Sequence, residues 1–528
     1  MKAQNILAFP IGSARSVDRM APAASGSAFD WLASAALIVL LVPLFLYRDM
    51  ALPVAVPLSL LIALISRHVF RLILAPGGSD VFFPTTLIVG YFAIDFAARA
   101  FYLSTVQFFP RIGVNPYDDY IPAALWCACV GYVAFLCGIR SGSAKRWVRH
   151  LPVVTQQWSS TFPTVRLLLL ILVGLGSLVY LFKMGVVVGN YSNVSFQRNP
   201  PPGLIVLLEN LIDLSFAAIC VILIAPAKKS NRVFAWPLLG ITLGILCIKI
   251  AVSGGKVALI QPLLEAVLVV HYAKRRFRVW ELVAIGIPAL MLTFGIINFY
   301  RFVVVGHHGS PKSLADVISR VSSASDLLTS KHGTSGQPPA LEQMVDRNAG
   351  TDALAIIMKY TPQPFPYAVG KPWLQIPLTF IPRQIWKNKP INIPSAEFES
   401  TYLGLSTHFN GFSSIHLIGD LYRNFSFVGV LGGMFLVGVL LRLFYLFCSP
   451  SRENRVGVFL YAALFPEIIH SFESDAGYGF INVSRIAALA IVVAIFLGAR
   501  FQNIRRLRLI QESLVADASR RPAAQISQ

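Results

Sequence analysis

The chain has 528 residues, 55% of them hydrophobic and only 13% charged, with a mean hydropathy of +0.64. A soluble domain carries about 25% charged residues, so these numbers exclude a soluble enzyme; they also exclude intrinsic disorder, which needs low hydrophobicity. The formal net charge of +20, from 45 basic and 25 acidic residues, suits nucleic acid or anionic lipid, and the positions of the charges decide between them.

Residues 1–28 are polar, rich in Ser and Ala, and lack the apolar core of a signal peptide, so they read as a cytoplasmic tail. Apolar runs near the bilayer-crossing length of about 17–25 residues then recur at 30–47, 51–66, 85–103, 121–139, 167–184, 204–226, 234–252, 257–272 and 280–299. Three more follow at 427–447, 457–471 and 485–499. The fold expected is an all-α polytopic membrane protein of about twelve transmembrane helices, GT-C-like, with one large periplasmic loop. Its parts are the tail 1–28, nine helices in 29–299, the loop 300–426, three helices in 427–499 and a basic cytoplasmic tail 500–528. No internal repeat stands out. The six cysteines, at 127, 129, 137, 220, 247 and 448, lie in or beside apolar runs without a CxxC pair and read as small packing residues.

Short loops give the orientation, because Lys and Arg accumulate on the cytoplasmic side. With the N-terminus inside, the cytoplasmic segments hold 25 basic residues and the opposite short loops hold 4. Both termini are then cytoplasmic, and much of the +20 is explained without nucleic acid. The segment 300–426 falls outside. Connections this long usually have a function. Its stretch 360–390 combines seven prolines with Phe365, Tyr367, Trp373, Phe380 and Trp386, which suits a rigid structure at headgroup depth.

Ionisable residues inside spans are costly and commonly functional or paired. Asp95 and Arg99 fall in the outer part of the third helix, one turn apart, where they can neutralise each other. Glu209 and Asp213 share that spacing in the outer half of the sixth but repel, so they are expected to face a cation or water. Lys249, Lys256, Glu467, His470 and Arg485 also lie toward the outer side, and Glu265, near mid-helix, is the exception. The pattern predicts a polar cavity open to the outside, with Glu209, Asp213, Asp420, Asp95 and Arg99 lining or orienting it. Several sites are excluded. Ser253-Gly254-Gly255-Lys256 is not a P-loop, since Val257 stands where Ser or Thr must bind magnesium. There is no HExxH zinc motif and no GxSxG elbow. Asp118-Asp119 is a weak metal candidate, because adjacent carboxylates point apart. No metal and no cofactor is expected.

Three segments carry a resemblance: Ser253–Lys256 between two apolar helices; Ile381-Pro382-Arg383-Gln384-Ile385-Trp386-Lys387-Asn388-Lys389-Pro390; and Gly419-Asp420-Leu421-Tyr422-Arg423-Asn424-Phe425-Ser426-Phe427-Val428-Gly429. Together, over roughly 85–495, they resemble the Wzy-type O-antigen polymerases, the oligosaccharide repeat unit polymerases of bacterial polysaccharide export. Lys256 stands where arginine is commoner in that family, and Ser426 where glycine is. The resemblance implies metal-independent glycosyl transfer at the periplasmic membrane face between undecaprenyl-diphosphate-linked glycans. It implies membrane lipids, a chain-length regulator and a repeat-unit flippase as partners, and no nucleic acid.

Such chemistry needs fixed cations for a diphosphate leaving group and a base for the acceptor hydroxyl. Arg383, Lys389, Arg423, Lys256 and Arg347 are the candidate diphosphate ligands, with Arg383 and Arg423 counted as catalytic. Proline and tryptophan neighbours are expected to hold Arg383 at headgroup depth. His408 or His416, then Glu397, are the candidate bases. Alternatives are an O-antigen ligase or other lipid-linked-sugar transferase and, in a different class, a polysaccharide or lipid-linked-sugar transporter.

Overall fold

A computed structural model describes residues 28–47, 50–74, 80–105, 118–148, 150–155, 163–184, 203–224, 229–253, 256–288, 319, 349–379, 381, 386, 394–404 and 414–503. Its helices in chain order are α1 (Ala28–Tyr47), α2 (Leu52–Leu74) and α3, which runs as Pro84–Tyr91, a π-helical stretch Phe92–Ala98 and Arg99–Thr105. α4 (Ile121–Arg140), α5 (Ser143–Val148) and α6 (Thr164–Lys183) follow, then α7 in two pieces, Gly203–Glu209 and Leu211–Ile224. α8 (Lys229–Ser253), α9 (Lys256–Ala273) and the apolar helix α10 (Val279–Pro288) precede the long loop. Within and after the loop come α11 (Gly350–Tyr360), α12 (Pro394–Tyr402), α13 (Leu417–Cys448), α14 (Arg455–Glu473) and α15 (Ala476–Phe496).

Nine of the described helices are long and apolar enough to cross a bilayer: α2, α3, α4 extended to Val148, α6, α7, α8 from Val233 to Ile250, α13, α14 and α15. The chain is therefore a helical, multi-pass membrane protein. Three other expected spans coincide with shorter apolar helices, Ser34–Tyr47, Leu259–Ala273 and Val279–Pro288. Boundaries moved where polar residues find partners. α13 gains a short piece ahead of the expected start, Leu417–Asn424, in which Asp420 accepts from Arg423 and Asn424, and past a break at Phe425–Ser426 its continuous stretch begins at 427 as expected. α15 begins at Ala476 rather than 485, capped by the Asp475 carboxylate on Tyr478 N at 2.9 Å.

Among the described residues, the departure from an all-helical fold is one antiparallel ladder. β1 (Pro152–Thr155) pairs with β2 (Arg500–Asn503), Pro152 opposite Asn503 and Thr155 opposite Arg500. The ladder ties the segment after α5 to the segment after α15, so both lie at the same end of the bundle.

That end is fixed from inside by a residue that hydropathy gave no reason to single out. Asp80, in the turn before α3, is 1% exposed. Its carboxylate accepts from Tyr272 OH at 2.9 Å, Tyr445 OH at 2.6 Å and Phe82 N at 3.1 Å, and His271 Nε2 lies 3.3 Å away. Tyr461 OH donates to Phe82 O at 2.5 Å. Burial would raise the Asp80 pKa, but the His271 side chain and the two tyrosine hydroxyls outweigh it and hold the carboxyl below its usual range. The ends of α9 and α13 thus meet at one place. α9, 18 residues long, covers about 27 Å at 1.5 Å per residue on its way there.

α4 and α13 form the closest helix pair. Gly138 and Gly438 sit where they cross, and a Cβ on either would collide with the carbonyl oxygen of Phe435 or Phe135. Small residues at such crossings let backbones approach without a hydrophobic drive, as membrane packing requires.

Two features inside the expected loop are structural. α11 carries an apolar run too short to cross a bilayer, yet nine of its eleven residues are buried, packed on α3, α4 and α13. Residues 361–370 fold back on α13, where Ala368 N donates to Arg423 O at 3.1 Å and Val369 N to Asn424 O at 3.2 Å. The expected rigid Pro-aromatic stretch is therefore a bonded platform over residues 361–379. Phe380, Arg383, Lys389 and Pro390 fall outside the described residues.

Candidate functional site

The first turns of α13 carry a cluster of mutually bonded polar side chains. The helix breaks at Phe425 (φ −141°, ψ 23°) and Ser426 (φ 57°, ψ −153°), leaving Leu417–Asn424 as a short separate piece. Ser426 thus occupies backbone space that favours glycine. Gly429 follows because the helix folds back so closely that a Cβ there would strike Leu421 O. Ser426→Gly is expected to relieve about 1 kcal/mol of backbone strain, read as a higher unfolding temperature at unchanged fold. An unchanged or lower temperature would mean the strain is absent.

Asp420 is the hub. It is 0% exposed and accepts from four donors. Oδ1 takes Arg423 Nη2 at 2.9 Å and Asn424 Nδ2 at 3.1 Å, while Oδ2 takes Trp373 Nε1 at 3.0 Å and Ala476 N at 3.0 Å. The carboxylate therefore joins the 361–379 platform, α13 and the start of α15, and it orients Arg423. The Arg423 side chain is only 4% exposed, and its Nη1 reaches Glu397 Oε2 at 3.5 Å on α12, where the Glu397 side chain is 50% exposed. Arg423 Nε has no partner. Nη2 is thus fixed on Asp420, while Nη1 lies 3.5 Å from an exposed carboxylate that a stronger anion could replace. α12 is held in turn by Tyr402, whose hydroxyl bonds Thr361 Oγ1 at 3.0 Å.

Asp475 closes the rim. Burial and the neighbouring Asp420 charge push its carboxyl up to about 6. A carboxyl raised in the folded state binds more protons folded than unfolded between roughly its usual value and 6, so stability falls as pH rises through that window. Asp475→Asn keeps an N-cap and removes the charge. Its expected result is a gain of roughly 1–3 kcal/mol above pH 7 and little change near pH 4, measured as unfolding temperature against pH. Equal shifts at both pH values would contradict the assignment.

Behind this hub the structure re-pairs the expected residues. Arg99 does not neutralise Asp95. It grips Asp352 of α11, Nε to Oδ2 at 2.7 Å and Nη2 to Oδ1 at 3.2 Å, with both side chains buried. Asp95 lies instead beside His416, Oδ1 to Nδ1 at 4.0 Å, and neither of those two atoms has a hydrogen-bond partner. Thr351 Oγ1 donates to the carbonyls of Asp95 or Phe96 at 3.1 and 3.2 Å, where the π-helical turn leaves them free. His416 is 3% exposed with φ 57°, and burial lowers its pKa to about 4, so it is a neutral imidazole walled off from solvent.

The cation expected beside Glu209 and Asp213 is the Lys249 ammonium. Lys249 Nζ meets Asp213 Oδ2 at 2.7 Å, both buried. His470 lies 4.0 Å from Glu473. Of the remaining candidates, Lys256 begins α9 but its side chain lies outside the description, as do Arg347, Arg383, Lys389 and His408 entirely. Asp119 is exposed on a 3₁₀ turn before α4. Buried polarity is not confined to one end, as the Asp80 cluster shows. Among the described residues, no three or more His, Cys, Asp or Glu side chains are arranged to hold a metal ion.

Asp475, Asp352, Tyr402 and Asp80 carry no signal in the sequence, and Trp373 stands out there only as one aromatic of the 360–390 stretch. Asn424 lay inside a quoted motif.

Residues 177–454 match the model of a family described as a domain of unknown function, DUF8712. No curated protein and no solved structure matches the chain. The matched segment includes Asp213, Lys249, Glu265, α11, the platform and all of α13.

Proposed function

We propose that this chain, which belongs to the DUF8712 family, is a polymerase of undecaprenyl-diphosphate-linked oligosaccharide repeat units, working by metal-independent glycosyl transfer at the periplasmic face of the bacterial inner membrane. The observation that carries the reading is the Asp420–Arg423–Glu397 array. It offers a buried, pre-oriented guanidinium beside an exposed carboxylate, at the membrane edge of a large loop.

In this reading the chain crosses twelve times with both termini inside. The 25-to-4 distribution of basic residues supports the orientation. Helix pairing supports the count. Asp80 and Tyr272 meet, so an even number of crossings separates them, and α9 has to be one. β1 and β2 meet, so α9 and the α10 segment cross together. Reporter fusions test this: after Pro339 only a periplasm-active reporter should give signal, and after Arg508 only a cytoplasm-active one. The reverse pattern would sink it.

The chemistry follows from the charges. Departure of a glycosyl group from its diphosphate builds negative charge, which Arg423 Nη1 stabilises as Glu397 is displaced. Lys256, Arg347, Arg383 and Lys389 are the further cations that this reading assigns to the diphosphate. Glu397 is the favoured base for the acceptor hydroxyl, since it is exposed and adjacent, whereas His416 is sealed. Asp420 acts on Arg423 as a positioning residue, and Asp95 and Arg99 brace α11 and His416 behind it. The partners are the lipid-linked glycans, membrane lipids, a chain-length regulator and a repeat-unit flippase.

Deleting the gene in its host and resolving surface polysaccharide on a gel tests the reading. Loss of polymer with retention of single capped repeats is expected. Loss of both would point to an O-antigen ligase, another lipid-linked-sugar transferase or a transporter. The transporter keeps one specific observation in its favour: buried polar residues on α9 at both Glu265 and His271–Tyr272.

A further inference from the structure

A second polar site lies away from the Asp420 hub, in the bundle interior. Asp213 on α7 and Lys249 on α8 form a buried ion pair at 2.7 Å. Glu265 lies midway along α9 and is 1% exposed. Its Oε1 accepts from Gln261 Nε2 at 3.3 Å, one turn away. Its Oε2 has no partner, and neither has Oε2 of Glu209. The charged groups that act on Glu265 are Asp213 from α7, Lys249 from α8 and Glu467 from α14. Glu209 adjoins the same Lys249 and Asp213. α7, α9 and α14 pack on one another here.

Four carboxyl groups therefore share one ammonium, which Asp213 already engages at hydrogen-bond distance. An ionised carboxylate at mid-span without a cation of its own is among the costliest arrangements in a membrane protein. The system escapes that cost by neutralising the group. A metal ion would be one route, but no metal-holding group of acidic or His/Cys side chains occurs among the described residues. A proton is the other, and it needs no coordination sphere.

We propose that the interior between α7, α8, α9 and α14 is a proton-binding site in which Glu265 carries the exchangeable proton. The Lys249–Asp213 pair sets its occupancy. While the pair is closed, the ammonium is engaged and Glu265 stays neutral. The site stands apart from the glycosyl-transfer reading and is tested without it.

Infrared absorption of the full-length protein in lipid, at neutral pH, tests the proposal. Wild-type protein should show a protonated-carboxyl carbonyl band that shifts when glutamate is carboxyl-labelled with carbon-13. Glu265→Gln should lose the Glu265 part of that band. Should Glu265→Gln fail to fold, Glu265→Asp serves: the glutamate-sensitive part of the band should shrink by the Glu265 contribution, leaving only what Glu209 and Glu467 supply. A wild-type spectrum without any glutamate-sensitive protonated band overturns the proposal. So does a glutamate-sensitive band of unchanged intensity in Glu265→Gln or in Glu265→Asp.

Discussion

Arg423→Ala is expected to abolish polymer while the protein remains inserted and abundant. Asp420 keeps three other donors, from Trp373, Asn424 and Ala476 N, so the platform should survive the loss. What disappears is the guanidinium whose Nη1 lies 3.5 Å from Glu397 Oε2. A single fixed donor to a developing anion contributes about 3–4 kcal/mol to the transition state, a loss of two to three orders of magnitude in rate. Arg423→Lys should recover little, because one ammonium cannot both bond Asp420 and present a planar fork to a diphosphate. Polymer yield at matched expression is the measurement, with unfolding temperature as the control. Near-normal polymer from Arg423→Ala would make the residue a structural strut.

The second large effect is at the opposite end and concerns stability. Asp80→Ala removes the acceptor for Tyr272, Tyr445 and Phe82 N in a fully buried pocket. Each buried donor left unsatisfied costs about 1–3 kcal/mol, so the total should be roughly 3–5 kcal/mol. The expected result is a marked fall in unfolding temperature and in membrane abundance. Asp80→Asn, which still accepts one or two of these bonds, should fall between. A variant indistinguishable from wild type would show that the tyrosines find other partners, and the tie between the ends of α9 and α13 would be secondary.

The helices were legible because lipid imposes length and apolarity at once. Nine expected spans coincide with described helices long and apolar enough to cross a bilayer, and three overlap shorter apolar helices. Pairings were not legible, because hydropathy carries no partner information. Asp95 and Arg99 look like a self-neutralising pair at helical spacing, yet Arg99 reaches a carboxylate 253 positions away. α11 has too few apolar residues to read as a span, and its burial comes from neighbours. Asp80 sits in a short loop with no local signal at all. The Gly419–Gly429 segment was the informative exception. Its Asp, Arg and Asn form the hub, and its departure from glycine at Ser426 falls where the backbone adopts a positive φ. Lys249 was expected near the outer end, but its pairing with Asp213 was not.

The most direct test of the account is reconstitution. Purified protein in liposomes is given undecaprenyl-diphosphate-linked repeat units in the presence of a chelator, and the lipid-linked products are resolved by size. The account predicts a ladder of lengthened glycans, undiminished by chelation and absent with Arg423→Ala. Repeat units that stay single in the presence of active, folded protein would contradict it, as would a ladder that appears only when magnesium or manganese is restored.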